Sequence, residues 1–171
     1  GTTTKDFAAI INKVSGRDMT WFFSQWVYGV GHPVFEITKK WNDKQKELTL
    51  SINQIQELDT VETNFSTTKF FQGKMIVELD NRLEDIYIEP KKANIFTFKL
   101  SANPGFLNFD FESGWVKEEK FERGMSEWMN LFLNSKDILA RINALGQLGT
   151  IAGQEATKLQ HKEQIYAAMR A

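Results

Sequence analysis

The chain predicts an α+β architecture: a helical hairpin, an antiparallel β-sandwich of about seven strands, and antiparallel helices that open a solenoid. Three observations predict it. The apolar period is close to 3.6 residues before Pro33, drops to 2 from Pro33 to about Lys117, and returns to the helical value after Gly124. No helical stretch interrupts the middle portion, which argues against a parallel sheet with crossover helices.

Each element follows from local chemistry. Thr4 is placed to cap a first helix in which Phe7, Ile10, Ile11 and Val14 recur at helical spacing, and Ser15 and Gly16 end it. The stretch 18–33 organises the remainder: Asp18 is a good N-cap, Gly29 and Gly31 offer positive-φ stops, and Pro33 cannot continue a helix. At 100° per residue, Met19, Phe22, Phe23, Trp26, Val27 and Val30 share one stripe, with Trp21, Gln25 and Tyr28 opposite. A helix with aromatics on both flanks is built to be covered from two sides, because each large side chain removed from water contributes roughly 1.5–3 kcal/mol. The competing reading is that Trp21 and Tyr28 sit on a wet surface, as single aromatics often do.

After Pro33, residues 34–38 alternate, 42–45 form a polar turn, and Leu48, Leu50 and Ile52 point to one face. Further strands are expected at 74–79, 85–88, 95–100, 106–110 and 115–117, with turns at 80–81, 89–90 and 103–105. Beyond Gly124, Met125, Trp128, Met129 and Phe132 form a helical stripe. Ser135 is placed to cap a second helix carrying Ile138, Ile142, Leu145 and Leu148 and ending at Gly149. A third helix runs from about Ala152, using Leu159, Tyr166 and Met169. Solenoids of this kind need three or more repeats to bury a continuous core, so the chain reads as a piece of a longer protein. A first residue of Gly rather than Met agrees with that reading.

Composition bounds the function. With 171 residues, 42% hydrophobic and 25% charged, the chain can build a real core in one large domain or two small ones. Its 21 basic and 22 acidic residues give a net charge of −1, which offers no electrostatic footprint for nucleic acid or anionic membrane. Zero cysteines exclude disulfides, thiolate zinc sites and cysteine nucleophiles. No run approaches the ~20 apolar residues of a membrane span.

Catalytic signals are sparse. His32 and His161 lack metal-ligand spacing, and no HExxH, GxSxG, P-loop or dinucleotide fingerprint occurs. His32, between Gly31 and Pro33, reads as a turn residue bonded to nearby backbone; His161 reads as solvated on a polar helix face. Asn64 opens a glycosylation sequon, a frequent accident. Glu78, Asp80, Glu84, Asp85 and Glu89 are expected on outward strand faces; a carboxylate hydrolase would need two of them facing one another in a cleft. Trp41, Trp115 and Trp128 are expected as core or sheet-end plugs; a free-standing module binding peptide or carbohydrate would instead expose Trp41 or Trp115.

Several strings, namely 4–7, 15–18, 21–27 and 31–33, resemble the end of the catalytic domain in the aminopeptidase-N-like (gluzincin) zinc metallopeptidases. The stretch 135–145 is similar to the opening of that family's HEAT-like or armadillo-like helical domain. The resemblance implies three parts: 1–31 as the tail of a thermolysin-like catalytic domain, 32–120 as the β-sandwich, and 121–171 as the start of the helical domain. It implies a parent that removes N-terminal amino acids from peptides with zinc. The family's zinc ligands, HExxH glutamate and catalytic tyrosine match no position here, so no catalytic or metal residue is assigned and no cofactor is expected in this piece. The expected partners are the remainder of the parent chain, contacted through Trp21, Gln25 and Tyr28; peptide substrate would be met only through the parent. The parent is either an active aminopeptidase or a relative that has lost its zinc site.

Overall fold

The computed structural model describes residues 1–58 and 66–170, the side chains of 157 and 161–170 excepted. Asn64 of the sequon and the side chains of His161, Tyr166 and Met169 lie outside the described residues. The element order is α1 (Thr4–Ser15), α2 (Thr20–Phe23) continuing as a π-helical turn (Ser24–Tyr28), then β1 (Val34–Asn42), β2 (Glu47–Gln54), β3 (Gly73–Leu79), β4 (Arg82–Ile88), β5 (Ala93–Lys99), β6 (Leu107–Phe109) and β7 (Glu118–Phe121), followed by α3 (Met125–Asn134) and α4 (Ile138–Arg170). This is the α+β layout expected: helices first, seven strands in two sheets, helices last.

The strands form a four-stranded sheet, β5-β2-β1-β7, and a three-stranded sheet, β4-β3-β6. Alternation brings Phe35, Ile37, Leu48, Leu50, Ile52, Met75, Val77, Leu79, Ile88 and Phe109 from both sheets into one core, making a sandwich rather than a barrel. One expectation shifts. The last strand begins at Glu118, not Trp115, and pairs parallel to β1, with Val34 opposite Glu118 and Ile37 opposite Phe121. Trp115 is held outside it, where its N–H and Asp110 Oδ2 (3.0 Å) close a tight corner.

The caps are displaced by one or two positions. Thr3, not Thr4, caps α1 in a reciprocal box: Thr3 N–H donates to Asp6 Oδ2 (2.8 Å) and Asp6 N–H to Thr3 Oγ1 (3.3 Å). Those bonds hold the Asp6 carboxyl below its ordinary value. Gly16 ends the helix at φ 65° as expected. Asp137, not Ser135, caps α4, accepting from Leu139 N–H (2.9 Å) and Ala140 N–H (3.3 Å). That helix runs unbroken for 33 residues through Gly149 and Gly153. An internal glycine costs only about 1 kcal/mol relative to alanine, and no proline is present to stop the helix.

The helical pair packs against the outer face of the three-stranded sheet. Phe106, Trp128, Leu131, Ala140 and Ala144 form a second core there. Beside it lies a polar seam centred on Glu78, whose side chain points away from the sandwich core. Fully buried, its carboxylate accepts from Ser135 Oγ (2.6 Å), Lys136 N–H (2.9 Å) and the Nδ2 of Asn108 (3.5 Å), its cross-strand partner. Asn108 also donates to Asp137 Oδ2 (3.0 Å), which accepts Glu112 N–H (2.8 Å). Next to this, Lys117 joins Asp110 and Glu119, and Glu119 joins Arg123, whose guanidinium lies 4.0 Å from the Phe121 ring centre and 4.7 Å from that of Trp128. Burial pushes the Arg123 guanidinium below its ordinary value, against the pull of Glu119 and Glu127.

At the other end of the sandwich, Trp115 is wedged between the sheets and the π-helical turn. Its indole packs edge-on to Trp26 (5.5 Å) and Phe35 (5.8 Å) and donates from Nε1 to Lys74 O (2.9 Å). Gly73, at φ 151°, makes room for it: a Cβ there would lie 2.9 Å from Trp115 Cζ2.

Two outcomes follow from these contacts. Glu78→Ala leaves the Ser135 Oγ–H and Lys136 N–H donors without their acceptor, and urea unfolding of this variant is expected to show a loss of about 3 kcal/mol. Gly73→Ala is expected to lose about 2 kcal/mol, and the indole N–H resonance of Trp115 should lose its hydrogen-bonded shift; an unmoved resonance would contradict the packing argument.

Candidate docking surface and its geometry

The residues expected to matter lie on α2 and its π-helical continuation. Met19, not Asp18, is the N-cap of α2 and supplies no side-chain cap; Asp18, one position earlier, accepts Thr20 N–H at its Oδ1 (2.9 Å). From Ser24 the backbone widens to the π form, which needs more residues per turn than the α-helix and so rotates every later side chain out of the 100° phase. Val27, assigned to the core stripe, is 47% exposed; Phe22, also assigned to it, is 39% exposed although it lies in α2 before the π turn. Gln25, assigned to the outward face, is buried: its Nε2 donates to Gln72 O (3.0 Å) and its Oε1 accepts Gln72 N–H (2.8 Å). Trp21 is half-buried and Tyr28 is 44% exposed.

Gly29 also plays a different part from the one expected. Its φ is −81°, so no left-handed stop occurs there. Glycine is required because a Cβ would meet Ser24 O and Thr68 Oγ1, each at 2.7 Å. Gly31 alone of the pair is left-handed, at φ 95°. The chain between them is extended, and Val30 exchanges backbone bonds with Ser66 O (3.0 Å) and Thr68 N–H (3.3 Å). His32 is a correction too: its Nε2 meets Glu118 Oε1 at 2.8 Å, an exposed side-chain pair rather than a bond to nearby backbone.

These elements enclose an aromatic cleft of about 470 Å³, walled by Trp21, Phe22, Trp26 and Trp115 with Gly73 and Gly114 beneath. Outside it, α1 adds Phe7 (edge-on to Phe23 at 6.0 Å), Ile10 and Val14, none of them buried. Through Phe23, α1 brings these apolar side chains beside α2; the cleft lining also includes the polar side chains of Gln72 and Lys74.

The remaining candidates are dispersed. Glu78 is enclosed by the helical pair, contrary to the outward face expected. Asp80 accepts Phe106 N–H (3.1 Å), Glu84 pairs with Arg82, and Asp85 pairs with Lys74 (2.8 Å). In register, Glu84 faces Val77 and Asp85 faces Ile76, so Glu78, Glu84 and Asp85 do not oppose one another. Trp41 packs half-buried on the sandwich core, and Trp128 is buried in the second core. Among the described residues no group of three His, Asp or Glu side chains has the arrangement to hold a metal ion, and no helix is long and apolar enough to cross a membrane.

Sequence reasoning missed Gln54 and misplaced Gln25. Gln54 does for Phe71 what Gln25 does for Gln72: its Nε2 donates to Phe71 O (2.8 Å) and its Oε1 accepts Phe71 N–H (2.7 Å). Each amide mimics a strand neighbour, and together they pin the entrance to β3 beneath the cleft. A glutamine in the core phase of an alternating strand was the available signal for Gln54. Nothing in the α-helical phase could have marked Gln25.

No protein-family model matches the chain. In sequence it is similar to transcription initiation factor TFIID subunit 2 of Saccharomyces cerevisiae, 33% identical over 55 residues, which are 32% of this chain and 4% of that protein. The subunit 2 of Schizosaccharomyces pombe is 28% identical over 68 residues, 40% of this chain and 6% of that protein. In fold it is similar to aminopeptidase A of Legionella pneumophila, solved in complex with aspartic acid: the TM-score is 0.70 at 18% identity, over 85% of this chain and 16% of that one. The chain thus spans a small share of each relative, and its fold is aminopeptidase-like.

Proposed function

We propose that this chain is a non-catalytic connector inside a longer protein of the gluzincin aminopeptidase architecture. Residues 1–31 are the tail of a thermolysin-like domain, 32–120 the β-sandwich, and 121–171 the start of a HEAT-like helical domain. The observation that carries this is the polarity of the piece. One end is locked to its helices through the buried Glu78, while the other presents Phe7, Ile10, Val14, Phe22, Val27 and Tyr28 without cover in this chain. Trp21 and Tyr28 remain the proposed contacts with the preceding domain; Phe22 and Val27 take the place of Gln25, whose amide is occupied by Gln72. In this reading the sandwich sets the position of the helical domain relative to the thermolysin-like domain.

Two parents fit such a connector. A zinc aminopeptidase would carry its zinc and catalytic residues in the preceding domain and use the helical domain to limit access of peptides. A transcription-factor subunit would keep the same architecture as a scaffold. The sequence similarity to TFIID subunit 2 supports the second, and we favour it: the parent serves in a transcription initiation factor, and this piece holds its domains in register.

The connector reading predicts that a separately expressed preceding domain binds this chain, and that Phe22→Ser with Tyr28→Ser weakens binding at least tenfold, or about 1.4 kcal/mol, by calorimetry. Equal binding by the double variant would refute the assigned surface. The choice of parent is read on the full-length protein: the scaffold reading expects no stoichiometric zinc by elemental analysis and no hydrolysis of aminoacyl-anilides. Zinc-dependent turnover that survives repurification would return the parent to the peptidases.

A further inference from the structure

Strand β5 (Ala93–Lys99) forms one margin of the four-stranded sheet, paired on one side to β2. Its hydrogen-bonding phase follows from two bonds at its ends: Gln54 N–H donates to Lys92 O (2.8 Å) and Leu100 N–H to Lys46 O (3.0 Å). Even-numbered residues of β5 therefore turn their backbone groups towards β2, and odd-numbered ones turn them away. Arg82 Nη1 reaches Lys99 O (3.0 Å), an odd-numbered carbonyl turned away from β2, in agreement with this phase, and closes the far end of the strand. The N–H and C=O groups of Ala93, Ile95 and Thr97 are left along an open edge, where each is a template for another strand.

Two features state what would use it. Ile95, 67% exposed, stands on the outer face beside Ser51 and Thr97, an apolar side chain in polar company. The turn leading into β5 carries Lys91 and Lys92, both exposed and, among the described residues, without an acidic partner. That turn is braced by Asn94, which accepts Glu89 N–H (2.9 Å) and donates to Glu89 O (3.2 Å). A second copy is a poor occupant: antiparallel β5–β5 pairing centred on Ile95 would set Lys91 opposite Lys99 in both halves, and like charges directly opposed destabilise a strand pair.

We propose that the β5 edge is a strand-addition site for an extended segment of another protein. The segment runs antiparallel to β5, sets an apolar residue beside Ile95, and places acidic residues at its C-terminal end against Lys91 and Lys92. This surface lies on the sandwich and does not depend on which parent the chain belongs to.

The probe is a fluorescein-labelled peptide alternating valine and threonine and ending in two aspartates, titrated against the whole chain by anisotropy. Saturable binding is expected, with slowed hydrogen exchange at the Ile95 and Thr97 amides. Thr97→Pro removes an outward N–H without touching the β2 ladder and should weaken binding by at least about tenfold. Lys91→Glu with Lys92→Glu should weaken it severalfold, an effect that shrinks in high salt. A probe N-methylated on the residues facing β5 makes the same test with the protein unaltered, and should not bind. Absence of binding, equal binding of the methylated probe, or a concentration-dependent dimer that Thr97→Pro abolishes would each overturn the proposal, the last by giving the edge to a second copy.

Discussion

A single buried carboxylate decides how this molecule is put together. Glu78 stands on the central strand of the three-stranded sheet, on the face turned away from the sandwich core, where an alternating strand ordinarily meets water. Removing an ion from water costs several kcal/mol unless its lone pairs are met. Here they are met by the three-residue connection between α3 and α4 and by Asn108 on the neighbouring strand. The carboxylate can be satisfied only when the helical pair is seated, so burial of the second core and satisfaction of the charge occur together. Apolar packing around Trp128 and Leu131 supplies attraction that could slide; the fixed positions of Ser135 Oγ and Lys136 N–H supply the register.

The opposite end is built on different terms. There two glycines permit close approach: Gly73 admits the indole of Trp115, and Gly29 admits Ser24 O and Thr68 Oγ1. The paired glutamines Gln25 and Gln54 hold residues 71–72 by two-way amide bonds, so the floor of the cleft is rigid although it lies outside a regular ladder. In the proposed contact with a preceding domain, side chains packed in this way would have little freedom left to lose.

The alternation from Val34 to Ile52 and the helical stripes around Trp128 were legible because burial on one face leaves a period in the sequence. What escaped reading depends on distant partners or on a change of phase. The π-helical turn displaced Gln25 and Val27 across the helix, and no residue type within 24–28 announces such a turn. The parallel strand Glu118–Phe121 pairs with β1 from more than eighty positions away, and its short polar sequence carries no apolar alternation. Ser135 sits too early to be the cap: its hydroxyl donates to Glu78 and accepts Asp137 N–H, while Asp137 Oδ1 takes the first free amides of α4, those of Leu139 and Ala140. The aromatics of the candidate surface were visible in the sequence; which of them would face outward was not.

The distribution of polar side chains bears on what the chain can do. A general acid or base must keep an oxygen or nitrogen free to meet substrate and must gain or lose a proton without collapsing its surroundings. The buried polar groups here are committed in the other sense. Glu78 and Asp137 each hold backbone N–H groups that position an element, and Asp110 fixes the corner before β7 through Trp115 N–H and Lys117. Gln25 and Gln54 stand in for missing strands. Protonating or displacing any of these groups would loosen a junction rather than expose a reactive atom. Their arrangement fixes how this chain's sheets, helical pair and N-terminal helices sit against one another, and the proposed connector role rests on that fixity.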